Sequence, residues 1–127
     1  TDVEFFEQIG HGLVQLIETG AIESPEMTLL LQDYLKPMIA KNIDYLVLGC
    51  SHYPYLIPQI KKIIPDNIKI IDSGQAVAKQ TKQVLKKLGI LNQQQKKGKL
   101  VFYTNDNPTV LKSILNNSEA IVEQLHF

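Results

Sequence analysis

The sequence predicts an α/β protein in which βαβ units surround a mostly parallel sheet. Three short apolar runs have the length of a buried strand: Tyr45–Leu48, Ile68–Ile71 and Leu100–Tyr103. Segments whose apolar residues recur at helical spacing lie between them. Because strands that alternate with helices usually pair in parallel through crossover connections, this order favours a βαβ architecture.

The chain opens with a predicted strand and a short helix. Val3–Ile9 is short and contains two phenylalanines, and it ends at the turn-forming residues Gly10–Gly12. An apolar stripe of Leu13, Leu16 and Ile17 then predicts a helix that stops at Gly20.

A second helix is expected to start after Ser24. The serine suits an N-cap, and Pro25 suits the first helical position. Helical spacing of apolar residues continues to about Lys41, but Pro37 lies inside the stretch and predicts a kink or an early end.

Two further helices flank the second apolar strand. Pro54 is expected to begin a helix that ends before Pro65. Asp72–Gly74 leads into a helix closed by Gly89, with an apolar face formed by Val77, Thr81, Val84, Leu85 and Leu88. Asn92–Gly98 is polar and rich in lysine, which is typical of a loop.

The last quarter of the chain predicts one more strand, helix and strand. Thr104–Pro108, after the run at Leu100–Tyr103, has turn and helix-cap chemistry. Val110–Leu115 then predicts a helix, and Ile121–Phe127 a final strand.

Composition excludes several classes of function. The 127 residues have a formal net charge of zero, which argues against a dedicated nucleic-acid binder. No apolar stretch approaches the roughly 20 residues needed to cross a bilayer. One cysteine with three scattered histidines makes a poor metal site and suits a reducing, cytoplasmic compartment. The chain begins at Thr1, which fits either N-terminal processing or a piece of a longer protein.

The single cysteine, Cys50, lies where ligands bind in α/β proteins. It follows the strand Tyr45–Leu48, and ligands usually sit beyond the carboxyl ends of parallel strands. A helix starting near Pro54 would point free N–H groups at a thiolate there. Ser51 adds a hydroxyl, and His52 can help to move a proton. The alternative is that Cys50 is a small buried packing residue.

Five segments resemble one enzyme family, the glutamate racemases. The stretch LVLGCSHYPYL, which contains Cys50, closely resembles the family's second catalytic signature, usually written LILGCTHYPLL. The segment LVQLIETG resembles FVPLVEEG, and FYTNDNP resembles FYTTxxP. IDSGQAVA and the closing VEQLHF also resemble family segments, in the right order. His11-Gly12 stands where the family commonly has a Cys-Pro pair.

The resemblance implies a fold and an incomplete chain. The family has two similar flavodoxin-like α/β lobes, and its first half carries a DSGxGG-like loop and a CNTA-like segment with a second cysteine. Neither element is present here, so the chain resembles the C-terminal half. By that pattern residues 1–71 form most of the second lobe, and residues 72–127 complete the first lobe. The partner strands of this last segment would be missing, leaving apolar side chains exposed around Val77, Val84 and Leu88.

The resemblance also implies a reaction and its residues. Family members interconvert L- and D-glutamate without cofactor or metal, with two cysteines on opposite faces of the α-carbon, and supply D-glutamate for bacterial peptidoglycan. Cys50 would be one acid/base, His52 its helper and Ser51 a substrate ligand. Glu18 occupies an acidic position that the family associates with tuning the catalytic groups. The implied partners are free glutamate and the missing N-terminal half, with a homo-oligomer left open, and no nucleic acid or membrane.

Two other interpretations remain open. A racemase of the same superfamily could act on aspartate or a hydantoin instead of glutamate. A non-catalytic α/β module could bind a small acid or a partner and use Cys50 only for packing. If the chain is a fragment of a glutamate racemase, it is expected to be inactive by itself, because one thiol can reprotonate only one face of the carbanion.

Overall fold

The computed structural model describes residues 2–94, 96 and 98–127 and divides them into two compact units. Thr1, and two positions of the predicted loop, Gln95 and Lys97, lie outside the described residues. One unit extends to Asp72 and the other starts at Ser73. The assignment of these parts to the lobes of a longer protein stays a prediction.

The elements of the two units confirm an α/β fold with parallel strands. The first unit contains α1 (Leu13–Glu18), α2 (Pro25–Ala40), β1 (Tyr45–Val47), a 3₁₀ turn (Tyr53–Leu56), α3 (Ile57–Ile60) and β2 (Lys69–Ile71). The second contains α4 (Gly74–Lys87), β3 (Val101–Thr104), α5 (Pro108–Leu115) and β4 (Ile121–Gln124). Among the described residues, each unit holds one two-stranded parallel sheet, β1 with β2 and β3 with β4.

Sheet pairing in the first unit continues past the end of β1. Tyr45 lies opposite Lys69, and Val47 opposite Ile71. The N–H of Leu48 then donates to the carbonyl of Ile71 at 2.8 Å. The chain therefore leaves the sheet just before Cys50.

The expectation that β1 is a buried strand holds for only one of its two faces. Leu46 is only 6% exposed, whereas Tyr45 and Val47 are 52% and 66% exposed. Side chains alternate between the two faces of a strand, so one face packs and the other is open. The core lies on the packed face, where Ile17 of α1, Met27 of α2 and Leu56 of the 3₁₀ turn are fully buried.

Helix α2 starts as its sequence predicts and runs through its proline. The Ser24 side chain accepts a hydrogen bond from the N–H of Met27 at 3.1 Å, and Pro25 follows it. Pro37 does not end the helix, which continues to Ala40. Its missing N–H removes one hydrogen bond near the C-terminal end, where few turns remain to be disturbed.

The strand predicted at Val3–Ile9 is absent from the structure. The segment is irregular, and Val3, Phe5 and Ile9 are 66%, 87% and 59% exposed. A strand is stabilised by a neighbour that pairs with its backbone, and within the described residues β1 pairs only with β2. One side-chain contact does hold the segment, since the Lys41 ammonium lies 5.0 Å from the centre of the Phe6 ring.

The regular helix predicted from Pro54 is replaced by a 3₁₀ turn and the four-residue α3. Pro58 has no N–H, so it cannot donate to the carbonyl of Pro54 as an α-helix requires. The N–H of Ile57 bonds to that carbonyl instead, which tightens the turn to 3₁₀ geometry.

The apolar stripe of helix α4 is exposed, as expected from the sequence. None of its residues is buried, and Val77, Val84 and Leu88 are 60%, 43% and 64% exposed. No helix within the described ranges is long and apolar enough to span a membrane.

The N-cap of α2 gives a first prediction. Ser24→Ala removes the acceptor for the Met27 N–H, so we expect the free energy of unfolding to fall by about 1 kcal/mol in urea titrations followed by circular dichroism. Ser73→Ala is the matched control, because Ser73 occupies the N-cap of α4 without a side-chain capping bond. Equal losses from the two substitutions would show that the cap of α2 contributes nothing.

The stripe on α4 gives a second prediction. The chain should bind 1-anilinonaphthalene-8-sulfonate, and Val77→Gln with Leu88→Gln should reduce the bound fluorescence roughly twofold without loss of helical content. Lys82→Gln, an exposed polar position of the same helix, should leave it unchanged. Undiminished fluorescence in the double variant would mean that the dye binds elsewhere.

Candidate active site

Cys50 lies beyond the carboxyl ends of two parallel strands. Leu48 is the last residue joined to β2, so Cys50 follows the sheet by two residues. The carbonyl of Cys50 accepts a hydrogen bond from the N–H of Tyr53 at 3.1 Å, which closes a turn. The thiol is neither fully buried nor fully exposed, so solvent and small molecules can reach it.

Three of the residues singled out in the sequence form a connected chain of side chains. The Sγ of Cys50 lies 3.9 Å from Nδ1 of His52. Nε2 of the same imidazole lies 3.1 Å from Oε1 of Glu18, the last residue of α1. His52 therefore bridges the thiol to a carboxylate that is 34 residues away in sequence.

This arrangement suits the transfer of a proton to and from the thiol. A neutral imidazole that donates its Nε2 proton to Glu18 has a free lone pair at Nδ1, which faces the sulfur. Transfer of the thiol proton to Nδ1 gives a thiolate beside an imidazolium, and the Glu18 carboxylate stabilises that cation. The side chains of His52 and Glu18 are 34% and 57% exposed, so water screens their attraction.

Ser51 lies between Cys50 and His52 in the sequence. Its side chain is exposed in the turn, and within the described part of the chain its hydroxyl makes no hydrogen bond. The hydroxyl is thus available to an incoming ligand.

The source of thiolate stabilisation differs from the one expected. The N–H groups of a long helix were expected to point at Cys50, but the turn is 3₁₀ and α3 has only four residues. So short a helix has almost no macrodipole. The imidazole of His52 is the group that the geometry offers in its place.

Cys50 lines one end of an open cavity of about 690 Å³. The other lining residues are mostly apolar, among them Phe6, Ile9, Met38 and Leu48. His52, Ser51 and Glu18 do not line it. The cavity therefore reaches Cys50 but not the polar side chains of Ser51, His52 and Glu18.

Two tyrosines next to this site were missed as site residues in the sequence. Tyr53 Oη lies 3.4 Å from the carbonyl oxygen of Gly10, and Tyr34 Oη donates to the carbonyl of His11 at 2.8 Å. Burial raises the pKa of Tyr53, and the negative charge of the Cys50 thiolate raises it further. Tyr53 could have been noticed because it stands inside the segment GCSHYP, which resembles the family signature. Tyr34 fits the apolar spacing of α2, so the sequence gave no sign that it lies near the site.

The turn before α1 contains a glycine in a left-handed backbone conformation. Gly12, the N-cap of α1, has φ 81° and ψ −20°, in the left-handed region that favours glycine. The side chain of His11 is exposed and takes no part in the chain from Cys50 to Glu18. Within the described ranges, no group of three potential metal ligands comes together.

Comparison with known proteins finds many relatives of one kind. A glutamate racemase of Pseudomonas putida is 40% identical over 114 residues, which cover 90% of this chain and 43% of that protein. A glutamate racemase of Deinococcus radiodurans is 36% identical over 113 residues, 89% of this chain and 39% of that protein. The chain thus spans less than half the length of these relatives. No family model matches it.

Solved structures show the same likeness. The glutamate racemase RacE1 of Bacillus anthracis superimposes with a TM-score of 0.72 at 25% identity, covering 91% of this chain and 44% of that one. The Francisella tularensis glutamate racemase, solved in complex with D-glutamate, gives a TM-score of 0.69 at 28% identity over the same shares. The chain therefore belongs to the glutamate racemase family and corresponds to the C-terminal half of such a protein.

Proposed function

We propose that this chain is part of an enzyme that interconverts L- and D-glutamate by proton transfer at the α-carbon, with Cys50 as one acid/base. The observation that carries the proposal is the continuous contact from the Cys50 sulfur through His52 to Glu18. The names of the relatives, and the D-glutamate bound in one of them, support glutamate as the substrate.

The proposed step balances with two thiols. The Cys50 thiolate removes the α-proton from one enantiomer and becomes a thiol, leaving a carbanion next to the substrate carboxylate. A second thiol on the opposite face gives its proton to that carbanion and becomes a thiolate. Since the chain contains one cysteine, the second thiol has to come from a segment outside it.

Each neighbour of Cys50 has a proposed role in this step. His52 accepts the thiol proton between turnovers and stabilises the thiolate as an imidazolium. Glu18 orients His52 and balances its positive charge. Ser51 donates its free hydroxyl to a substrate carboxylate. The proposed step itself needs no metal or cofactor.

The arrangement of the whole protein is part of the proposal. Residues 1–71 would form most of a second lobe, and residues 72–127 would complete a first lobe that begins outside this chain. The exposed apolar stripe on α4 supports this, since an absent partner surface would cover it. In a bacterial cytoplasm, where a thiol stays reduced, the product D-glutamate would supply peptidoglycan synthesis.

The imidazole beside Cys50 gives a third prediction. His52→Gln removes the group that stabilises the thiolate, so alkylation of Cys50 by iodoacetamide at pH 7 should slow roughly fivefold. Mass spectrometry of the quenched reaction measures the rate. His11→Gln, the same change at an exposed histidine of the same unit, should leave the rate unaltered. A His52→Gln rate equal to that of the unchanged chain would favour a packing role for Cys50.

The need for two thiols gives a fourth prediction. The 127-residue chain alone should not racemise glutamate, whereas a chimaera with the first half of the Pseudomonas putida relative should do so. Cys50→Ala in the chimaera should lower the racemisation rate by at least a hundredfold, because one acid/base is lost. Circular dichroism of the product mixture measures the rate.

Parallel reactions with glutamate, aspartate and a hydantoin would separate the related substrates. Robust racemisation by the isolated chain, or an active Cys50→Ala chimaera, would contradict the mechanism. Turnover of aspartate in place of glutamate would contradict the substrate.

A further inference from the structure

Tyr53 joins the turn that carries Cys50 to a segment 43 residues earlier in the chain. It directly follows His52 and begins the 3₁₀ turn, where its side chain is half-buried. Its hydroxyl lies 3.4 Å from the carbonyl oxygen of Gly10. That distance is long for a hydroxyl–carbonyl bond, so the bond itself is weak.

Tyr53 and Gly10 are also in close steric contact, in addition to the weak hydrogen bond. A Cβ at residue 10 would lie 2.6 Å from Tyr53 Oη and 2.6 Å from Cδ1 of Leu13. Real side chains do not approach so closely, so a side chain at residue 10 would require the ends of the Tyr53 and Leu13 side chains to shift. The Gly10 carbonyl also accepts from the N–H of Leu13, the first residue of α1, at 3.3 Å. Tyr53 thus touches the point from which α1 starts.

Two adjacent residues of the turn therefore hold the two ends of one short helix. His52 contacts Glu18 at the last position of α1, and Tyr53 contacts Gly10 just before its start. Helix α1 has six residues, so it is about 9 Å long. Leu13 and Ile17 anchor the helix in the core, and the contacts at its two ends fix how it meets the turn at Cys50.

We propose that Tyr53 is a positioning residue that holds the start of α1 against the Cys50 turn and so keeps Glu18 within hydrogen-bond distance of His52. The inference rests on the proposed function of the Cys50–His52–Glu18 contacts and adds to them the group that sets their geometry. Tyr34, on α2, also supports the start of α1, because its hydroxyl donates to the carbonyl of His11 in the turn before that helix.

The hydroxyl of Tyr53 keeps its proton under the conditions in which the site works. Burial and the nearby Cys50 charge raise its pKa above the ordinary value of 10.0. The hydroxyl is therefore a donor at every pH near neutrality, and its contact with Gly10 does not switch off as Cys50 gains or loses a proton.

The test compares alkylation of Cys50 in the 127-residue chain across pH 6 to 9. Tyr53→Phe keeps the ring that lies against Gly10 and removes only the hydroxyl. We expect alkylation at pH 7 to slow about threefold and the rate profile to move to higher pH, because Glu18 pairs less often with His52. Glu18→Gln should slow it by at least as much, and the double variant should be no slower than Glu18→Gln.

Tyr55→Phe is the matched control, since Tyr55 lies in the same 3₁₀ turn, is 40% exposed, and within the described residues its hydroxyl has no hydrogen bond. It should react like the unchanged chain. If Glu18→Gln slows alkylation and Tyr53→Phe does not, the proposed role of Tyr53 is wrong, while the contacts among Cys50, His52 and Glu18 still stand. Normal rates in both would overturn the proposed contact chain as well, and additive losses in the double variant would show that Tyr53 acts independently of Glu18.

Discussion

Parallel pairing of β1 with β2 is the constraint on which the candidate site depends. Parallel strands bring their carboxyl ends to the same edge, so whatever follows them is placed outside the sheet. The pairing extends to the Leu48 N–H, and the next two residues bring the chain to Cys50. A tight turn follows the cysteine, and its thiol remains partly exposed. Cys50 is thus placed by backbone hydrogen bonds, of the strand before it and of the turn that its own carbonyl closes.

Around that fixed point, the site is completed by contacts between parts of the chain that are distant in sequence. His52 belongs to the same turn as Cys50, but Glu18 belongs to α1 and Gly10 to the segment before it. The packing of α1 against α2 and the 3₁₀ turn, around Ile17 and Leu56, brings these groups together. Apolar burial of this kind stabilises the fold by roughly 1.5–3 kcal/mol for each large side chain, far more than the exposed His52–Glu18 pair. The polar contacts orient the groups, and the core holds them there.

Much of the fold could be predicted from local signals, and the failures have physical causes. The Ser24 cap, the helical spacing of α4 and the short apolar strands each act over a few residues, so the sequence displays them. The strand expected at Val3–Ile9 pairs with neither strand of its unit, and no local pattern reveals that. The helix expected after Pro54 fails because Pro58 removes one hydrogen bond. Cys50, His52 and Glu18 could be proposed from a signature, whereas the contact of Tyr53 with Gly10 depends on packing across 43 residues.

The left-handed conformation of Gly12 limits how this loop can diverge. A proline ring restricts φ to about −65°, whereas Gly12 has φ 81°. The Cys-Pro pair common in the family therefore cannot replace His11-Gly12 by simple exchange of side chains, because the peptide would have to turn the other way.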